Sequence, residues 1–281
     1  MKWKIIADSA CNYRQLEHLA PNTTFESIPM YVQVGDKTFV DKANLDIDFM
    51  MEVMYASEQA SKSACPSPDQ YLQAFGDADA IFVVTITGAL SGSNNAARLA
   101  REIYLETHPD AKVHIIDSLS AGGEMDLLVY QLNEYIKQGL TYPEILVAIE
   151  EYQKQSKLIF VLEKVDNLVK NGRLNKIVGK VVGLLNIRMV GQASSKGELE
   201  LLQKARSNKK AVSTAWAEMK KAGYKGGRIH ISHRSNPDFV QDLSKLIHTE
   251  YPQAEIHSLP TSGICSFYAE EGGVLLGYET L

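Results

Sequence analysis

The sequence has no apolar run approaching the roughly 20 residues that a membrane-spanning helix needs, which excludes an integral membrane segment. It has few cysteines. Cys11, Cys65 and Cys265 are the only three among 281 residues, and none stands in a CxxC or zinc-type spacing. That excludes a disulfide framework and a small zinc module. Positive charge is not in excess either: 29 Lys and Arg face 34 Asp and Glu, a net charge of -5. A nucleic-acid surface driven by counterion release is therefore not expected. The opening "MKWKIIADSA" carries two lysines, but its apolar stretch stops at Asp8 and no secretory h-region follows. The expected location is the cytoplasm, with the thiols reduced.

The usual catalytic signatures are missing as well. Ser91 lies in G-A-L-S-G, whereas a nucleophile elbow requires G-x-S-x-G. Between Gly172 and Gly179-Lys180 the glycine spacing is too wide for a phosphate-binding P-loop, and no G-x-G-x-x-G follows a strand. His230 and His233 sit three apart on one strand candidate, so alternation sends them to opposite faces and no metal site is expected there. Neither a metal nor a cofactor is expected.

What the chain does have is alternation. Short apolar runs at 3–9, 80–87, 112–118, 158–163, 187–192, 228–233 and 254–259 predict strands covered on both faces, the habit of parallel sheets. Amphipathic segments between them predict helices, among them "SNNAARLAREIYLETH" and, behind Pro143, "YPEILVAIEEYQKQSK". The pattern is that of an α/β protein. Near residues 150–160 the regular alternation gives way to a basic helical stretch without a low-complexity linker. Two packed α/β domains are expected: 1–155, Rossmann-like with a parallel sheet, and 156–281, a second unit with a mixed sheet. A cleft would lie between them, and the chain is free to cross back near its C-terminus.

Three polar sites close strands. These are Asp8-Ser9, the hinge Ser91-Gly92-Ser93, and Asp117-Ser118. In an open α/β sheet the carboxyl ends of the strands share one edge, where ligands bind. The hinge has the most specific physics. A helix start carries unpaired N–H groups and about half a positive charge, glycine admits close approach, and serines add donors. An anion fits there. Ser93 or Asn94 as a plain N-cap fits equally well. The segment 63–68 should run extended, because Pro66 and Pro68 disfavour helix for their predecessors, and Ser67-Pro68-Asp69 should start a helix.

Several of these segments together resemble the DegV family, nearly end to end. "ADSACNY" is similar to its D-S-T/A strand end, "SACPSP" to T-S-Q-P-S, and "GALSGSNNAA" to S-x-x-L-S-G-T-Y-x-S-A. "HIIDSLSAGGEM" looks like V-I-D-S-x-x-x-S-x-G, and "VDNLVKNGRLNKIVGKVVGLLNIRMV" resembles the glycine-rich block that ends in L-L-N-I-K-P-I. The resemblance implies a two-domain α/β fold that buries one long-chain fatty acid and presents it to a separate fatty acid kinase, which makes the acyl phosphate. Carried over by position, it implies Ser63 and Ser91 as carboxylate holders, with Gly92 and Ser93 beside them. Tyr268 falls where the family commonly has a histidine, a departure that removes a positive charge from the head group. It also implies Ile177, Val181, Leu184 and Leu185 as one wall of the acyl tunnel, although the same residues read equally as a buried core helix. Arg206, and Arg173 with the surface set Lys204, Lys209 and Lys210, become candidates for docking the kinase.

Carriage rather than catalysis accounts for the hinge. An ionised carboxylate is too costly to bury without surrounding donors, and a helix start with hydroxyls supplies them without any catalytic group. Two other readings stay open: an enzyme on a small acyl or anionic substrate with Cys65 or Cys265 as nucleophile, and a phosphate-sensing regulator built on Ser91.

Overall fold

The computed structural model describes residues 1–174 and 187–280. Ile177, Val181, Leu184 and Leu185 lie outside the described residues.

The first sheet is parallel. Its strands are β1 (Trp3–Asp8), β2 (Thr23–Ile28), β6 (Ala80–Thr85) and β7 (Lys112–Asp117), in the order β2-β1-β6-β7, every pair parallel. β6 is buried at every position, as its unbroken apolar run requires of a strand covered on both faces. Between β2 and β6 the chain builds a small antiparallel sheet from β3 (Tyr31–Val34), β4 (Lys37–Val40) and β5 (Ser61–Ala64), with α1 (Ile47–Ala56) inserted before β5. The sequence pattern did not announce this sheet, because "SKSA" has neither alternation nor β-branched residues. α2 (Pro68–Phe75) opens where expected, on Ser67, whose hydroxyl and Gln70 form a reciprocal capping box.

α3 (Ser93–Thr107) follows β6, and α4 (Gly123–Lys137) follows β7. α4 is the central helix. It packs on β1 and β6 on one side and, on the other, on strands of a second sheet. Its residues 123–129 are all buried, so its first two turns are enclosed on every side. The two carboxylates that go inside with it find donors: Asp126 accepts from the amide and side chain of Asn12, and Glu124 from the hydroxyl of Ser156. α5 (Tyr142–Gln155) closes the layer, with Pro143 in its first turn and a capping box from Thr141 and Glu144.

The second sheet is mixed. It comprises β8 (Ser156–Leu162), β9 (Arg188–Ala193), β10 (Leu199–Ala205), β11 (Ile229–His233), β12 (Ile256–Pro260) and β13 (Val274–Glu279), in the order β10-β9-β8-β13-β11-β12. Only β11 and β12 run parallel; the other pairs are antiparallel. One face packs against α7 (Asn208–Lys221) and α8 (Pro237–Glu250) through Ile159, Val161, Ile229 and Ile231. The other holds Leu158, Phe160 and Leu162, joined by α6 (Asp166–Lys170). Between β12 and β13 the chain crosses back. α9 (Gly263–Ala269) buries Ile264, Cys265 and Phe267 in the core of the first sheet and α1, and its first amides are donated to the carboxylate of Asp41. The return leaves one face of α9 beside β5 and the hinge after β6.

Candidate functional site

Where α9, β5 and the hinge meet, a cavity of about 290 Å³ opens. Its polar end is made by Ser63, Cys65, Ser91, Gly92, Tyr268 and Arg173. The remainder is apolar, including Met30, Ile86, Phe160, Leu162, Leu168 and Leu275. Ser63 comes from β5 and Tyr268 from α9. Their hydroxyls are 2.6 Å apart and hydrogen-bond each other, linking residues 205 positions apart. Both are half-buried. Burial pushes the Tyr268 hydroxyl above its usual range, with Ser63 and Arg173 pulling the other way, so it is a neutral donor at physiological pH.

The hinge is arranged differently from the sequence expectation. Gly92 is the N-cap of α3, and no side chain caps the helix; neither Ser93 nor Asn94 serves as the cap. Ser93 is no carboxylate holder through its hydroxyl. That group is fully buried, is donated to Asp8 at 2.6 Å and shares a 2.6 Å hydrogen bond with Tyr71. Its amide is donated to the hydroxyl oxygen of Ser91 at 3.2 Å, which leaves the Ser91 proton for the cavity. Ser91 and Gly92 do line the cavity, and the Sγ of Cys65 lies 3.3 Å from where a Cβ on Gly92 would stand. The helix start thus turns its partial charge toward the cavity, with the Cys65 sulfur beside it.

The other two strand-end sites brace the hinge rather than meet a ligand. Asp8 is fully buried and accepts from the amides of Ile86 and Ala10 as well as from Ser93. Burial outweighs these donors and pushes its carboxyl up to about 6. Asp117 accepts from the amide of Gly88. Two carboxylates therefore clamp the loop from both flanks, because β1, β6 and β7 are neighbours with their carboxyl ends together.

Arg173 is the largest departure. Expected on the surface as a docking residue, it is half-buried and lines the cavity. Gly172 takes φ +72° and turns the chain back after α6. The guanidinium then donates to the carbonyl of Leu90 at 3.2 Å and to that of Asn171, and stands 6.0 Å from the centre of the Tyr268 ring. The positive charge that a tyrosine at position 268 cannot carry is brought in from another element. No motif could have announced this, since the contact with Leu90 spans 83 residues. Arg206, Lys204, Lys209 and Lys210 are exposed, and none of them lines the cavity.

Cys265 is a poor nucleophile. It lines the cavity, but burial pushes it up to about 12, and its Sγ approaches the carbonyl of Ala10 at 3.3 Å. Cys65 has no imidazole among its hydrogen-bond partners in the described residues. Among those residues no group of three or more His, Cys, Asp or Glu could hold a metal ion, and no helix is long and apolar enough to cross a membrane. His230 and His233 point to opposite sides of β11, one fully buried and one partly exposed.

An anion with a long apolar tail fits these features, and known proteins with the same fold can be compared on that basis. A DegV domain-containing protein of Streptococcus pneumoniae strain R6 is 65% identical over 279 residues, 99% of each chain, and one of Streptococcus gordonii is 61% identical over the same length. Among solved structures, the Streptococcus pneumoniae Fatty Acid Kinase (Fak) B3 protein loaded with linoleic acid superposes with a TM-score of 0.99. It is 64% identical and both chains are covered at 100%. A DegV family protein from Eubacterium eligens loaded with heptadecanoic acid gives a TM-score of 0.95 at 38% identity, covering 99% of this chain and 100% of that one. The family model described as "Uncharacterised protein, DegV family" matches residues 2–280. The chain belongs to the DegV family.

Proposed function

We propose that this protein binds one long-chain fatty acid, with the carboxylate at the polar end of the cavity and the acyl chain along its apolar walls. The observation that carries the reading is the clustering of the Ser63, Ser91 and Tyr268 hydroxyls, the start of α3 and the Arg173 guanidinium at one end of an otherwise apolar cavity. A buried carboxylate needs such donors, and inorganic phosphate would leave the apolar walls without a partner. The tail supplies most of the affinity: at about 0.8 kcal/mol per methylene, some 14 of them contribute roughly 11 kcal/mol gross, before ordering costs. The linoleic and heptadecanoic acids of the two loaded relatives support the same ligand class.

In this reading the protein is a carrier without catalytic residues or cofactor. It acts in the cytoplasm and hands the carboxylate to a separate kinase, as the name of the Fak B3 relative suggests. The exposed Arg206 is the candidate docking contact. Residues 1–155 and 156–281 form its two units. Organic extraction of the purified protein followed by mass spectrometry tests the binding step. One fatty acid per chain is expected. Protein that emerges lipid-free, and after delipidation takes up no oleate in calorimetry, overturns the proposal.

A further inference from the structure

We infer that Phe160, packed against Gly191 and paired with Leu275, is the residue that limits which acyl chains this cavity accepts; the inference rests on the fatty-acid reading above. β8 alternates, sending Ile159 and Val161 to one face and Leu158, Phe160 and Leu162 to the other. Of the second set, Leu162 and Phe160 line the cavity and Leu158 does not. Leu162 is at the end of β8 that leads into α6 and Arg173, the polar end. Phe160 is about 7 Å farther along, and it is the last residue on this face to meet the cavity.

The next level is closed by main chain. Gly277 is the antiparallel partner of Leu158, and the start of α4 sits directly on it: a Cβ on Gly277 would lie 2.3 Å from both the amide nitrogen of Glu124 and the carbonyl carbon of Gly123. Beside Gly277 the cavity meets only main chain, and the buried Leu158 side chain fills the rest of that level. The limit therefore falls to the pair one level up, Phe160 and its antiparallel partner Leu275.

Both members are held from behind by glycines. Gly191 faces Phe160 across β9, and a Cβ on it would fall 2.3 Å from Cζ and 2.5 Å from Cε2 of the ring. The ring lies on bare main chain and can sink no deeper. A Cβ on Gly122 would stand 2.7 Å from both Cβ and Cδ1 of Leu275. Each side chain is thus pinned between a backbone and the cavity, and a pinned aromatic ring in a close-packed interior discriminates by shape rather than adapting. Apart from Tyr268 at the polar end, Phe160 is the only aromatic among the described lining residues.

The test is the fatty-acid profile of Phe160→Ala and of the milder Phe160→Leu. Lipid recovered from each purified protein is identified by mass spectrometry. Delipidated protein is then competed with saturated and cis-unsaturated acids of increasing length. Phe160→Ala is expected to move the preferred length up by roughly two to four carbons as chain fills the vacated ring volume, and Phe160→Leu to move it less in the same direction. Head-group mutations at Ser63 or Tyr268 should weaken all acids alike and leave the profile unmoved. If Phe160→Ala does not fold, Phe160→Leu decides. Variants that bind lipid with the wild-type profile overturn the assignment of Phe160 alone, whereas wild-type protein without lipid overturns the fatty-acid reading itself.

Discussion

Replacing Tyr268 by Phe isolates a single donor. The ring stays, and with it the packing of Phe267 and the guanidinium of Arg173 at 6.0 Å; only the hydroxyl 2.6 Å from Ser63 disappears. A hydrogen bond to a charged partner contributes about 1.5–3 kcal/mol, and each 1.4 kcal/mol is tenfold in affinity, so oleate binding should weaken roughly 10- to 150-fold. The lipid-free protein should lose much less, about 0.5–1 kcal/mol, because it forfeits only a neutral, half-buried bond to Ser63. Binding is measured by calorimetry on delipidated protein, stability by urea denaturation. A cycle with Ser63→Ala adds a check: hydroxyls that grip the same carboxylate should be non-additive. Because burial holds the Tyr268 hydroxyl above its usual range, the loss should be constant between about pH 6 and 9. Affinity within about twofold of wild type, with the stability change alone present, would refute the placement of the carboxylate at this pair.

Arg173→Gln should weaken fatty-acid binding most at low ionic strength and progressively less as salt is added, since a charge rather than a shape is removed; a salt-independent loss would point to the Leu90 contact instead. Asp8 is held near 6 by burial, above its unfolded value of 3.8, so its protonated form favours the fold. Its contribution is fully present below about pH 3.8 and is lost as pH rises through about 6. Asp8→Asn should therefore flatten the fall of unfolding free energy across that window by up to about 1.4 kcal/mol per pH unit, read from urea titrations at stepped pH; an unchanged slope would show that Asp8 does not titrate there. Gly123→Ala should destabilise by 3 kcal/mol or more, about the upper end for overpacking, because the new Cβ would meet the carbonyl of His230 at 2.2 Å and the amide of Gly277 at 2.6 Å. A urea midpoint near that of wild type would mean that α4 can lift from the mixed sheet.

Much of the fold was legible because its signals are local. The seven expected strands are present with ends shifted by at most two residues or so, and the helices after Gly92, Thr141, Ser207 and Asn236 begin near their caps or prolines. Among the described residues β2, β3, β4, β5, β10 and β13 escaped notice, two of them for plain reasons. β5 is four polar and small residues held by pairing with β3, and β10 is a partly exposed strand whose apolar residues do not alternate cleanly. Within the site, Ser63, Ser91, Gly92 and Tyr268 could be named from motifs. The roles of Ser93, Asp8 and Arg173 could not.

The sequence by itself determined the alternation of strands and helices and the family, since periodicity, capping and glycine spacing act over a few neighbouring residues. Only the tertiary structure decided which groups share the polar end. Ser63 meets Tyr268 across 205 positions, Arg173 meets Leu90 across 83, and Ser93 turns away to Asp8 across 85. Periodicity says which side of an element is buried; it carries no information about which distant element will lie there. A hydroxyl or guanidinium takes its partner from whatever packing brings within about 3 Å.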